Sequence, residues 1–252
     1  MRKPSVSAQL TRTARRFSTV IAPQLTKVEQ LNILQKYRKL IIKMADVTRL
    51  QDAIKQYVLH NNMHFDPVEF QIRSCDNGSD HVVLLAQFYA EEIVLFEGTK
   101  RLLSICLSDP PDTSVEGITV AKVRHPISGI KVFEVIEATG QTSWKINGTL
   151  DELNKCHIEA HHSLLRHMVS MCGFSFSSGQ WWSVEHEGSR VGQVCPLNSF
   201  CDENSLRIEW LEDTDNELRL LTLCFGVIQM VREAFPGLMH IVHECRQRKG
   251  IA

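Results

Sequence analysis

The residues of this chain best suited to chemistry are the histidines and cysteines between positions 156 and 172. Cys156, His157, His161, His162, His167 and Cys172 fall in one stretch of 17 residues. The segment from Leu150 to Met171 is expected to be a helix, opened by Thr149, carrying Asp151 and Glu152 in its first turn and closed by Gly173. On such a helix His157 and His161 are four residues apart, share a face, and are candidate ligands for one zinc or copper ion. Leu153, Leu164, Leu165 and Met168 accompany them, so the competing reading is a packed helix whose histidines bond locally. Ile158 follows His157 where a metalloprotease needs glutamate. Around Gly179 and Gly188 there is no Gly-x-Ser-x-Gly elbow, and the chain has no phosphate-binding glycine loop. These residues point away from bond chemistry.

What positions them is organised around Leu218–Phe235, LRLLTLCFGVIQMVREAF. From Leu220 to Met230 this stretch is apolar on nearly every side, which no surface helix tolerates. A membrane span needs about 20 apolar residues. This run is shorter and is bounded by Arg219 and Arg232, so a protein sleeve is the expected enclosure. The sleeve is legible upstream as short alternating or β-branched runs at 69–74, 81–88, 92–96, 101–107, 118–123, 131–137, 143–146, 181–186, 190–196 and 205–211. Turn residues such as Asp109-Pro110-Pro111-Asp112 and Ser128-Gly129 separate them. Consecutive short strands make an antiparallel meander, and closing it around the helix removes its edges. The fold class is therefore mainly β with helices.

Ahead of the strands, apolar residues recur at three- and four-residue steps from Val28 to Val58, and residues 27–64 are read as amphipathic helix. Residues 27–60 are the expected surface for a protein partner, self-association or a membrane face. The first 26 residues are rich in Arg, Ser and Thr, lack acids, and contain Arg15-Arg16-Phe17-Ser18. That is the composition of a mitochondrial transit peptide, or of a basic tail. Residues 239–252 are read as a C-terminal tail.

Composition sets limits on partners. The 252 residues are 43% apolar and 23% charged, with a formal net charge of −1. Six cations and no acid lie before Glu29, which leaves −7 for the remainder. A mildly acidic body argues against nucleic acid as a partner. Eight cysteines without a CxxC pair read as reduced thiols. Strand alternation sends Trp181 and Trp182 to opposite faces, one of them suited to a lipid interface.

From Trp181 to Phe235 the chain resembles the C-terminal part of phospholipid scramblases and their tubby-like and LURP-one-related relatives. The shared order is a hairpin with Val191-Gly192 entering its second strand, an acidic loop, a strand containing Ile208, then Asp213-Thr214-Asp215 and the apolar helix. Val123-Arg124-His125-Pro126-Ile127 extends the likeness upstream. The resemblance implies a tubby-like closed barrel of about twelve strands around a buried C-terminal helix. It also implies phospholipid binding at a membrane, with bidirectional, calcium-dependent lipid movement in scramblase-type members. Their calcium segment corresponds here to Asp202–Asp213, with Asp202, Asn204 and Asp213 as candidate ligands. A non-catalytic mitochondrial interaction or assembly module on the same barrel is the alternative function.

Overall fold

The structure is a computed structural model, and it describes residues 32–60, 65–74, 80–114, 117–126, 128–138, 143–148, 156–162, 180–197 and 204–248. A short helix α1 (Asn32–Gln35) leads into β1 (Lys39–Met44), then α2 (Val47–Ile54), which continues as a wider π turn through Leu59. Eleven strands follow: β2 (Val68–Ser74), β3 (Val82–Phe88), β4 (Ile93–Glu97), β5 (Lys100–Ser114), β6 (Gly117–Arg124), β7 (Lys131–Glu137), β8 (Ser143–Gly148), β9 (Cys156–His162), β10 (Gln180–His186), β11 (Ser189–Leu197) and β12 (Ser205–Trp210). The chain ends in α3 (Asn216–Gln229), a π turn (Met230–Ala234) and α4 (Pro236–Arg248).

Every strand pairs antiparallel with its sequence neighbour, and β1 pairs with β12 to close the barrel. At that seam Leu40 stands opposite Ile208 and Ile42 opposite Leu206, while Ile42 also faces Ile72 of β2. These side chains are buried and alternate with Lys39, Ile41 and Lys43 along β1. Period two puts one set in the lumen and the other outside.

The lumen is filled by α3, whose residues Leu218 through Gln229 are all buried. The helix meets the wall closely at Gly226. A Cβ there would stand 2.8 Å from Ile208 Cδ1 and 3.2 Å from Ile42 Cδ1, so glycine lets helix and seam meet. The residue before it, Phe225, packs edge-on against Trp144 of β8 and Trp182 of β10.

Arg219 anchors the entry of this helix. It is 3% exposed, and its guanidinium donates to the main-chain carbonyls of Leu34, Tyr37, Leu211, Glu212 and Thr214 at 2.7–3.3 Å. Trp210 lies beneath it, with the guanidinium carbon 5.5 Å from the ring centre. Burial, and secondarily the charge of Arg38, holds its pKa below the usual guanidinium value. The fork fits because five donors in one plane reach carbonyls on three segments at once.

Three expectations change. The helical reading of residues 27–64 is split, since Lys39–Met44 is a strand that completes the barrel. The apolar face of α2 does not stand free: Ala53 and Tyr57 are buried, Ile54 lies against Gly237 and the Arg248 guanidinium covers the Tyr57 ring. Third, the expected tail at 239–252 is α4 as far as Arg248, because Pro236 starts a helix rather than ending one. No helix of the described residues is long and apolar enough to cross a membrane.

Candidate functional site

The stretch expected as a helix around His157 and His161 is instead strand β9, paired to β8 and β10. In a strand, positions four apart still share a face but stand about 13 Å apart. One ion cannot bridge them, which removes the geometric basis of the zinc or copper site. His157 Nε2 lies 3.3 Å from Glu159 Oε1, and His161 Nε2 lies 2.7 Å from Ser183 Oγ, so each ring has its own partner. Among the described residues no three His, Cys, Asp or Glu side chains are grouped to hold a metal. His167, Cys172 and the remainder of the expected helix lie outside the described residues, as does the segment before residue 32.

The candidate calcium ligands are also separated. Asn204 precedes β12 and donates through Nδ2 to the Ala234 carbonyl, 3.3 Å away, where α3 leaves the barrel. Asp213 follows β12, exposed in the turn by which the chain enters the lumen. Six strand residues lie between them, roughly 20 Å. Asp202 lies outside the described residues. Asp213→Ala is therefore expected to leave any calcium binding heat unchanged, which isothermal titration of both proteins checks.

What the sheet does assemble is an outward-facing cluster on β9, β10 and β11. Trp182 is buried in the lumen and Trp181, half-buried, points the other way. The His161 ring stacks on Trp181 with centroids 4.2 Å apart and planes 21° from parallel. Arg190 holds its guanidinium carbon 5.0 Å from the centre of the same indole, and its terminal nitrogen also bonds Gln193. An indole flanked by a cation and an imidazole presents apolar area together with donors, the combination found at interfaces between hydrocarbon and water.

Ser183 and His161 form the first half of a nucleophile and base pair. Catalysis of that kind needs a third group orienting the imidazole. Here the nearby Glu159 carboxylate is turned to His157, and nothing among the described residues bonds the other nitrogen of His161. The pair reads as a structural hydrogen bond across neighbouring strands.

Around the barrel, charges alternate in sign. Lys39 and Arg207 meet Glu209, Arg49 meets Glu69, Arg73 meets Asp80, Lys131 meets Glu134 and Arg38 meets Glu212. Glu209 loses some solvation, yet the Gln193 amide with Arg207 and Lys39 holds its carboxyl below the usual range. Opposed to these exposed groups, the thiol of Cys156 is pushed up to about 12 by burial, and that of Cys224 is raised for the same reason. Neither is a ready nucleophile.

Sequence reasoning isolated Trp181 but missed Arg190 and the stacking of His161. Their signal was the alternation Cys156, Ile158, Ala160 against His157, Glu159, His161, which is the period of a strand. Comparison of the chain with protein-family models, with characterised proteins and with solved structures finds no match.

Proposed function

We propose that the chain is a scramblase-like, membrane-associated protein that binds phospholipids and works in mitochondria. The observation that carries this reading is the closed barrel around α3, buried from Leu218 to Gln229, the architecture that the Trp181–Phe235 resemblance implies. The outward cluster of Trp181, His161 and Arg190 supports it by offering one interfacial indole with a cation beside it. Because α3 is packed against the wall on all sides, lipid has no path along the lumen in this state. Binding at the outer surface is accordingly the step the geometry supports, and bidirectional lipid movement with calcium is the further reading that needs an opened state.

Flotation of the purified protein with cardiolipin-containing vesicles tests the binding step. Co-flotation that weakens in Trp181→Ala is the expected result, and wild-type protein that stays at the bottom of the gradient contradicts it. A leaflet-exchange assay on the same vesicles, with and without calcium, tests movement. The alternative is a non-catalytic interaction or assembly module on the same barrel. A stable protein complex without flotation would select it.

A further inference from the structure

Strand register lays the outward residues of β8, β9, β10 and β11 in rows. In one row Lys145 stands opposite His157, His157 opposite Glu185, and Glu185 opposite Arg190. Two positions along β9 Glu159 stands opposite Ser183, and two further His161 stands opposite Trp181. Alternation turns these side chains away from the lumen, where Trp144, Ile158, Trp182 and Val184 are buried. Lys145 and Arg190 are exposed, while His157, Glu159, His161 and Glu185 are half-buried. The face is within reach of a partner.

Its charge depends on two protons. Among the described residues of these strands, Lys145 and Arg190 offset Glu159 and Glu185, and Glu187 at the exposed tip of the β10–β11 hairpin brings the total to −1 with neutral histidines. Protons on His157 and His161 turn that into +1. The strands on either side leave the balance alone, because Lys131 pairs with Glu134 on β7 and Arg207 with Glu209 on β12. Each imidazole has an acceptor in place for the added proton: Glu159 Oε1 is 3.3 Å from His157 Nε2, and Ser183 Oγ is 2.7 Å from His161 Nε2. Histidine is the side chain whose ordinary charge change falls between about pH 5 and pH 8.

The same arrangement selects the headgroup. Trp181 is flanked by His161 from β9 and by Arg190 from β11, so a lipid meets cations around the indole where a choline ammonium would need open ring faces. A guanidinium and an imidazolium suit phosphate oxygens and an anionic surface.

We propose that the Trp181 face docks on anionic phospholipid bilayers in an acid-dependent way, with His157 and His161 as the groups that take up the protons. This rests on the reading of that face as the membrane-binding surface and adds its lipid class and its regulation. At neutral pH the indole supplies the contact, and in acid the reversed charge adds to it.

Flotation of the full chain is compared at about pH 7.5 and about pH 5.5, on phosphatidylcholine vesicles with and without about a third phosphatidylglycerol. Affinity for the anionic vesicles should rise at least about fivefold in acid, the effect of one added surface cation, and affinity for pure phosphatidylcholine should stay level. His157→Gln with His161→Gln should keep the neutral-pH binding, which also reports that the variant is folded, and should lose the rise, because glutamine takes no proton. His240→Gln with His243→Gln, on α4, should keep the rise, which separates this face from the protein's general gain of positive charge in acid. The inference is overturned if the wild type shows no rise, if the variant at 157 and 161 rises as the wild type does, or if pure phosphatidylcholine gains equally. Binding that Trp181→Ala still weakens in those cases keeps the membrane reading and removes only the acid dependence. Protein that floats with none of the vesicles at either pH overturns both.

Discussion

Arg219→Ala is expected to lower the stability of the protein by about 3–5 kcal/mol without altering any exposed surface. The side chain makes five hydrogen bonds, all to main-chain carbonyls, and those carbonyls belong to α1, to the loop after it and to the turn that starts α3. Removing the guanidinium leaves the carbonyls of Leu34 and Thr214, whose bonds to it are buried, without that donor, and the half-buried Tyr37 carbonyl beside them. Each one that stays dry costs about 1–3 kcal/mol, so two or three account for the total. In a domain of this size the loss corresponds to a drop of about 10 °C in Tm. Arg219→Lys should recover only part of it, since an ammonium has three donors on one atom and cannot fan across three segments. Thermal and urea unfolding of both variants checks the ordering.

Phe225→Ala is expected to cost about as much by a different route. The ring is 0% exposed and lies 5.5 Å from Trp144 and 6.0 Å from Trp182, centroid to centroid. Truncating a buried phenylalanine typically loses about 3–5 kcal/mol, of which each edge-on aromatic pair supplies about 0.5–1.5. The wall cannot close on the space, because β8 and β10 are held in register by their neighbours on both sides. Phe225→Leu keeps most of the volume and should lose less. Arg219 and Phe225 are about 9 Å apart along the helix axis, so the two effects should add to within about 0.5 kcal/mol.

Most of the barrel was legible because its strands alternate cleanly between lumen and solvent. Lys131–Glu137 is a strand with the boundaries its sequence suggests, and the apolar helix is enclosed as its lack of a polar face requires. Two strands were misread as helix for one reason. In β1 the apolar residues Leu40, Ile41 and Met44 continue the three- and four-residue steps of the preceding leucines, and the strand period Leu40, Ile42, Met44 is hidden within them. In β9 the helix-start residues Thr149, Asp151 and Glu152 and good helix formers dominate local preference, but pairing to β8 and β10 decides the outcome. The error propagated to chemistry: a helix would have joined His157 to His161, and a strand parts them.

The candidate sites were legible only as residue types. Asp202, Asn204 and Asp213 look adjacent in sequence, but a strand runs through their midst and carries Asn204 and Asp213 to opposite ends of the barrel. Gln229 was seen as one polar interruption of an apolar run. Trp181, His161 and Arg190 were likewise seen singly or not at all, and only the pairing of β9, β10 and β11 brings them together. No spacing rule connects residues so far apart along the chain.

Hydrogen exchange of the α3 amides in buffer without detergent is the direct measure of whether this helix is sheathed by its own strands. Leu218–Gln229 should be among the slowest amides in the molecule, opening only with global unfolding. Rapid exchange of that segment in plain buffer, with protection gained only when detergent or bilayer is supplied, would mean that lipid rather than the barrel encloses it.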